Sequence, residues 1–475
     1  MDLPRTVLQA LHDQASRLGD RPALWAMHRR TWLPTSWRDH AKRVRQFALG
    51  LLGLSIAPGE PVAIMAFNGE AWIAAHLGAM ATGAIPFGIY VSSTPARVEE
   101  LLAHSRARAI VVEDARLARM VQGLRERLPK LEHIIVLDPS EGLPEGTHAF
   151  GDLVTRGAAT REQLYWERVH ALEPDGVATL VYQGREGSPR AVMLSHRNLL
   201  WTAAKLSASY ELTEERLFSY LPLSHIAEQL MSVVGPLLMP SAQVYLSTGA
   251  AMLEQELEEA QPTVFFAPPR VWERFVHRID ARLQGALLPE ARLFGWARRI
   301  ATQFHTRKLA GAPVGLILEG QMELARQLVF SRLHAELGLD ACRYLVSSTA
   351  PLPREHLGFL LSVDLPVREL YGRTESTGVI SVSVEGATQL GRLGRPMLGV
   401  ELRVAGDGEL LVRGENVCLG YYREPKATKA LLRDGWLHTG DRGELDREGY
   451  LRMLVQQPGS FDLDAAPSDD AAQSG

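Results

Sequence analysis

Between two apolar runs, Thr179 to Tyr182 and Ala191 to Leu194, the chain carries the loop Gln183-Gly184-Arg185-Glu186-Gly187-Ser188-Pro189-Arg190. Gly184 and Gly187 let the backbone approach a ligand closely, and free N–H groups and hydroxyls in such a loop suit phosphate oxygens. Arg190 adds a planar positive charge where the second run begins. Glu186 opposes that chemistry, since a carboxylate about 4 Å from one phosphate charge costs on the order of 4 kcal/mol at intermediate dielectric. Arg185 can offset the cost by pairing with Glu186 or with the phosphate; a solvated Arg185–Glu186 surface pair is the competing reading. Two distant acids, Glu375 and Asp441, complete the candidates. An ionised carboxylate is a hard oxygen donor suited to Mg²⁺, and it can accept several hydrogen bonds. In isolation each would be an ordinary solvated surface acid.

The elements around these groups read as α/β. Val62 to Ala66, Ala109 to Val112 and His133 to Leu137 are short apolar runs bounded by polar turns, as buried strands require. Glu70 to Ala81 and Ala115 to Leu128 carry apolar residues at helical spacing between them. Ser36, with Asp39 three residues on, marks a helix start before the run to Leu52, and Ser195 starts another. Such alternation predicts largely parallel sheets flanked by helices. From about Pro396 the pattern changes to short strands separated by Gly and Asp: Val400 to Val404, Glu409 to Arg413, and Tyr450 to Val455. This predicts a small β-rich subdomain over 396–455, after an α/β body over 1–395 with two subdomains meeting near 172. Residues 456–475, rich in Pro, Ser, Gly, Ala and Asp, read as a disordered acidic tail.

Composition narrows the function classes. With 46% hydrophobic and 22% charged residues in 475, the chain can bury a large core. A net charge of -4 offers no electrostatic case for nucleic acid. Cys342 and Cys418 are too few and too distant for a disulfide framework and read as reduced core residues. No apolar run nears the ~18 residues of a membrane span, and the N-terminus carries no secretory h-region. The expected location is the cytoplasm, with peripheral membrane contact as an addition. That contact would use a helical stretch near 283–337, where Arg292, Arg298, Arg299, Arg307 and Lys308 lie among apolar residues. A solvated helix face is the commoner explanation of such a pattern.

Several segments, in order, resemble the adenylate-forming (AMP-binding) superfamily. Asp175 to His196 has the frame of YTSGTTGxPKGVMLSH, but its loop is one residue shorter, lacks the hydroxyl run and carries Arg190 in place of Lys. Leu221-Pro222-Leu223-Ser224-His225 is similar to LPLxH, Pro262 to Glu273 to PTxFxxxPRVWE, and Ser348-Thr349-Ala350-Pro351-Leu352 to GAAPL. Tyr371-Gly372-Arg373-Thr374-Glu375 fits YGxTE; Arg413-Gly414, Val417 and Gly420-Tyr421-Tyr422 fit RGxxVxxGYY; and Gly435 to Asp441 fits GWxxTGD. Gly88 to Ser93 and the helical insert most resemble long-chain and bubblegum-type acyl-CoA synthetases.

The resemblance implies ATP-dependent adenylation of a long-chain fatty acid. It makes Glu375 the Mg²⁺ ligand, Thr374 a phosphate contact, Asp441 a grip on the ribose hydroxyls and Tyr371 a ring against adenine. Ser348 joins the nucleotide pocket, Gly184, Gly187 and Arg190 remain as the phosphate cradle, and His225 stands beside the acyl and nucleotide pockets. His225 is not assigned as a general base, because its carboxylic substrate is already ionised at pH 7. ATP and Mg²⁺ are the implied cofactors; CoA is doubtful. Family members continue into a C-terminal domain of about a hundred residues that supplies a catalytic Lys and thioester-forming surfaces. Here Val455 and Gln456 stand at the family's hinge and Arg positions, so that domain is expected to be absent or supplied by a separate protein. Two expectations follow: an acyl-CoA synthetase-like protein with weak adenylation and no complete CoA-ligase cycle, or an inactive pseudoenzyme that binds acyl chain or nucleotide or regulates a partner.

Overall fold

The apolar runs assemble into two large sheets and one small one, seen in a computed structural model that describes residues 3–184, 187, 189–285 and 287–456. Arg185, Glu186, Ser188 and the acidic stretch 457–475 lie outside the described residues. An eight-stranded sheet runs in the order Gly420–Tyr421, Arg190–Ser195, Val177–Gln183, Ile85–Gly88, Pro61–Met65, Ala109–Asp114, His133–Asp138, His148–Ala149. Its centre is parallel, while Arg190–Ser195 is antiparallel to both of its neighbours. Val62, Ile64, Val111 and Ile135 are fully buried, because helices cover both faces of a parallel sheet. Helix Glu70–Ala81 is buried from Trp72 through Ala81; apolar on all sides, it belongs inside the protein.

The nine-stranded sheet places Arg368–Tyr371 beside Tyr344–Ser347, then Val264–Ala267, Glu214–Ser219, Ser241–Leu246 and the N-terminal pair Pro22–His28 and Thr31–Ser36. The two sheets interleave along the chain. Residues 22–36 join the nine-stranded sheet, whereas 177–195 and 420–421 join the eight-stranded one, so no single cut near 172 separates them. The reason is pairing: Leu24 to Ala26 take Val244 to Leu246 as parallel partners. Glu401–Val404, Glu409–Arg413, Leu432–Arg433, Trp436–Leu445 and Leu451–Val455 form the small antiparallel sheet.

Local signals have local outcomes. Ser36 accepts the Asp39 N–H at 3.1 Å. Ser195 caps helix His196–Ser209 by accepting from Asn198 N at 3.0 Å, and Asn198 Oδ1 accepts the Ser195 N–H at 2.9 Å. That reciprocal box joins the end of the Arg190–Ser195 strand to its helix. Ser195→Ala is expected to lower stability by about 1 kcal/mol, read as a fall in urea midpoint at unchanged m-value.

The insert forms helices Leu288–Leu309 and Leu316–Ala325. Phe294, Ala297, Phe304, Met322 and Phe330 pack a core of their own with Trp272 and Phe275. Part of its basic set is engaged by protein: Arg298 donates to Ser362 Oγ at 3.0 Å and lies over the Phe359 ring, and Lys308 pairs with Glu385. Among the described residues no helix is long and apolar enough to cross a membrane.

Candidate active site

Glu375 and Asp441, 66 positions apart in the sequence, meet through one side chain lying between them. Strand Arg368–Tyr371 runs into a tight turn that carries Arg373, Thr374 and Glu375. Gly378 N donates to Arg373 O at 2.8 Å, Thr377 Oγ1 to Asn416 O at 2.7 Å, and Asn416 Nδ2 to Val379 O at 2.8 Å. Those bonds fasten the turn to the 413–422 segment. Strand Trp436–Leu445 supplies Asp441, which is wholly buried. Arg373 Nη1 donates to both Asp441 oxygens at 2.9 Å, and the Tyr371 hydroxyl donates to Oδ2 at 2.6 Å.

Glu375 is 1% exposed. Its Oε1 accepts from Gln183 Nε2 at 2.5 Å and from the Tyr421 hydroxyl at 2.7 Å. Its Oε2 has no hydrogen-bond partner and lies 3.5 Å from Arg373 Nε. Burial alone would raise the Glu375 pKa; the Arg373 charge and the two donors outweigh it and hold the carboxyl below its usual range. Glu375 is therefore an anion at pH 7 with one oxygen lacking a hydrogen bond. That fits Mg²⁺, which takes one or two carboxylates and completes its shell with water and substrate phosphate. Among the described residues no group of three His, Cys, Asp or Glu side chains is placed to hold a metal ion.

The loop glycines are tied to a neighbouring helix, Pro95–Ser105. Gly184 and Gly187 have φ of 89° and 86°, conformations that side chains disfavour. Arg97 donates to Gly184 O at 2.7 Å, and Gly187 N donates to Glu100 Oε1 at 2.8 Å. A carboxylate thus takes an N–H that the loop would offer to a phosphate. Arg190 reaches across to Tyr421, its guanidinium carbon 5.5 Å from the ring centroid. The strand pairing of Tyr421 with Val192 holds that ring in place.

Ser348 lines a second feature, a narrow apolar cavity, and His225 is hydrogen-bonded to Ala227 in its wall. Leu206, Tyr210, Met231, Phe266, Leu370 and Gly378 are among its walls, with Ser348 and Ala227. Ser348 Oγ is buried without a partner. His225 Nδ1 accepts the Ala227 N–H at 3.2 Å, so the proton of the neutral ring sits on Nε2. Burial lowers its pKa to about 4, leaving it neutral at pH 7. Nearby Glu228 is pushed up to about 7 by burial and accepts from Ser232 Oγ at 2.5 Å.

The structure thus gathers Tyr371, Thr374, Glu375 and Asp441 into one site and sets Gly184 beside it through Gln183. Tyr371 is 3% exposed, with its hydroxyl spent on Asp441, so its ring offers little open face. Arg373, Gln183, Tyr421 and the Arg97–Glu100 pair join the site without being among the candidates the sequence singles out. Arg373 had a signal, a cation two residues from a candidate metal ligand at the variable position of YGxTE. Gln183 and Tyr421 lie within the loop and the RGxxVxxGYY segment, but nothing in the sequence pairs them with Glu375; Arg97 and Glu100 carry no signal.

Two large sheets of this topology with a small antiparallel sheet match the fold of adenylate-forming enzymes. The family model of the AMP-binding enzyme matches residues 11–422, and the chain belongs to that family. Human long-chain-fatty-acid–CoA ligase ACSBG2 is 29% identical over 466 residues, covering 95% of this chain and 69% of that protein. The Drosophila melanogaster long-chain-fatty-acid–CoA ligase heimdall is 31% identical over 470 residues, covering 94% and 69%. The chain therefore spans about two thirds of the length of these relatives. Among solved structures, the anthranilate CoA ligase AuaEII with anthranoyl-AMP aligns at a TM-score of 0.72 and 20% identity, covering 96% of this chain and 78% of that one. The inhibitor-bound N-terminal domain of FACL13 from Mycobacterium tuberculosis aligns at 0.71 and 18%, covering 96% and 100%.

Proposed function

We propose that this acyl-CoA synthetase-like chain binds a long-chain fatty acid and MgATP and adenylates the acid slowly. The carrying observation is that the apolar cavity abuts the acid cluster, since Leu370 and Gly378 in its wall flank the Tyr371–Thr377 segment. In the reaction a carboxylate oxygen bonds to the α-phosphorus of ATP and the bond to pyrophosphate breaks. Glu375 would hold Mg²⁺, which would spread the charge developing on the phosphates. The Thr374 hydroxyl would donate to a phosphate oxygen, Arg190 would supply a positive charge at the loop, and Asp441 would hold the ribose hydroxyls. The cavity would keep the acyl chain from water, and a neutral His225 would not trap the substrate carboxylate as an ion pair.

Slowness follows from occupancy. Gly187 N–H and Asp441 already have protein partners, and each must be released for a substrate group to replace it. The same closure supports a second reading, an acyl-binding pseudoenzyme without turnover. Fatty-acid-dependent ATP–pyrophosphate exchange separates them. Exchange establishes adenylation; its absence, with palmitate still raising Tm, establishes the binder. Met231→Trp, placed in the cavity wall, is expected to abolish the palmitate-induced rise in Tm. The overpacking itself would lower stability by about 1–3 kcal/mol. An undiminished palmitate response in Met231→Trp would move the acyl site elsewhere.

A further inference from the structure

We propose that Arg373 occupies the place of a nucleotide's ribose at Asp441, so that it sets nucleotide affinity and must turn away before a ribose can bind. This rests on reading Asp441 as the ribose-binding acid. A carboxylate offers about four acceptor sites, and Arg373 Nη1 and the Tyr371 hydroxyl take three bonds from this one. Two ribose hydroxyls would need two of those places. The competitor is strong, because charge-assisted hydrogen bonds in a buried site are the least readily given up. Arg373 and Asp441 are 8% and 0% exposed, so water does not weaken the pair.

Arg373 also has somewhere to go. Glu375 Oε2 is buried, has no hydrogen bond and already lies 3.5 Å from Arg373 Nε. A small rotation of the guanidinium would release Asp441 while Nε stays beside Glu375 Oε2, whose two acceptor sites suffice for Arg373 and one bond to Mg²⁺. Nucleotide affinity would then scale with the fraction of molecules in which Asp441 is released. A purely structural ion pair, pinning strand Trp436–Leu445 to the turn, would have no such dependence on ribose.

The test is calorimetric titration of the whole chain with MgATP and with Mg-2′,3′-dideoxy-ATP. Wild type is expected to bind the two within about twofold of each other, since Asp441 is engaged. Arg373→Met is expected to bind ATP about tenfold more tightly and dideoxy-ATP no more tightly, as for a site closed about nine-tenths of the time. Should Arg373→Met not fold, Arg373→Gln keeps one donor toward Asp441 and is expected to show the same selectivity at smaller size. A wild type that already prefers ATP tenfold, or variants that shift both nucleotides equally, would overturn the role of Arg373 and leave the nucleotide reading standing. Binding of neither nucleotide to any form would overturn both.

Discussion

Glu375→Gln is expected to lower fatty-acid-dependent ATP–pyrophosphate exchange by about two to three orders of magnitude, the usual effect of removing one preorganised electrostatic contact. The substitution keeps the shape of the side chain. Its amide oxygen can still accept from Gln183 and Tyr421, which bond Oε1 in the wild type. What disappears is the negative charge beside Arg373 and the hard anionic oxygen offered to Mg²⁺. Arg373 keeps Asp441 as its ion partner, so the turn retains its main anchor. Stability should change by only about 1 kcal/mol, within the ordinary range for a single contact. Exchange rates measured beside melting curves make the distinction: unchanged exchange in a folded variant would remove Glu375 from the chemistry.

The second large effect is steric. A Cβ on Gly372 would lie 2.1 Å from Gly378 O and 2.5 Å from its carbonyl carbon. Those atoms are backbone in a turn already closed by the bonds to Arg373 O and Asn416, so they cannot rotate aside as a side chain would. Gly372→Ala must open the turn that carries Thr374 and Glu375. We expect a loss of about 3 kcal/mol or more, in the range reached by strain and broken buried networks. Exchange should be lost even in whatever fraction folds. Gly358→Ala is the control: it lies in helix Arg354–Ser362 with no atom within 4 Å of the added carbon. There the change should be neutral or slightly stabilising, because Ala is the better helix former. Equal denaturation midpoints for the two variants would contradict the steric account.

Most of the scaffold was legible because its causes are local. The predicted helix 70–81 appears as Glu70–Ala81, and the predicted runs 62–66, 109–112 and 133–137 appear as Pro61–Met65, Ala109–Asp114 and His133–Asp138. The apolar spacing of Ala115 to Leu128 predicts a continuous helix; the chain forms an α-helix to Gln122 and then a 3₁₀ turn, Arg125–Arg127. Gly123 caps the helix, ending a stretch whose apolar spacing alone would have continued it. The site was legible only as a set of residue types. Glu375 and Asp441 stand out once their motifs are seen, but no spacing rule says that Arg373 lies between them.

The amino-acid sequence by itself determined the elements, their caps, the α/β class and the family to which the chain belongs. Those follow from apolar period, side-chain capping chemistry and ordered motifs, all carried within short windows. Only the tertiary structure decided which groups answer one another. Arg373 meets Asp441 across 68 residues, Glu100 meets Gly187 across 87, and Gln183 meets Glu375 across 192. Such pairings depend on where sheets, turns and helices bring distant backbones together. A carboxylate buried by that packing takes whatever donor lies within about 3 Å. Here the nearest donors belong to the protein itself, and that decides how openly the site presents its acids to a substrate.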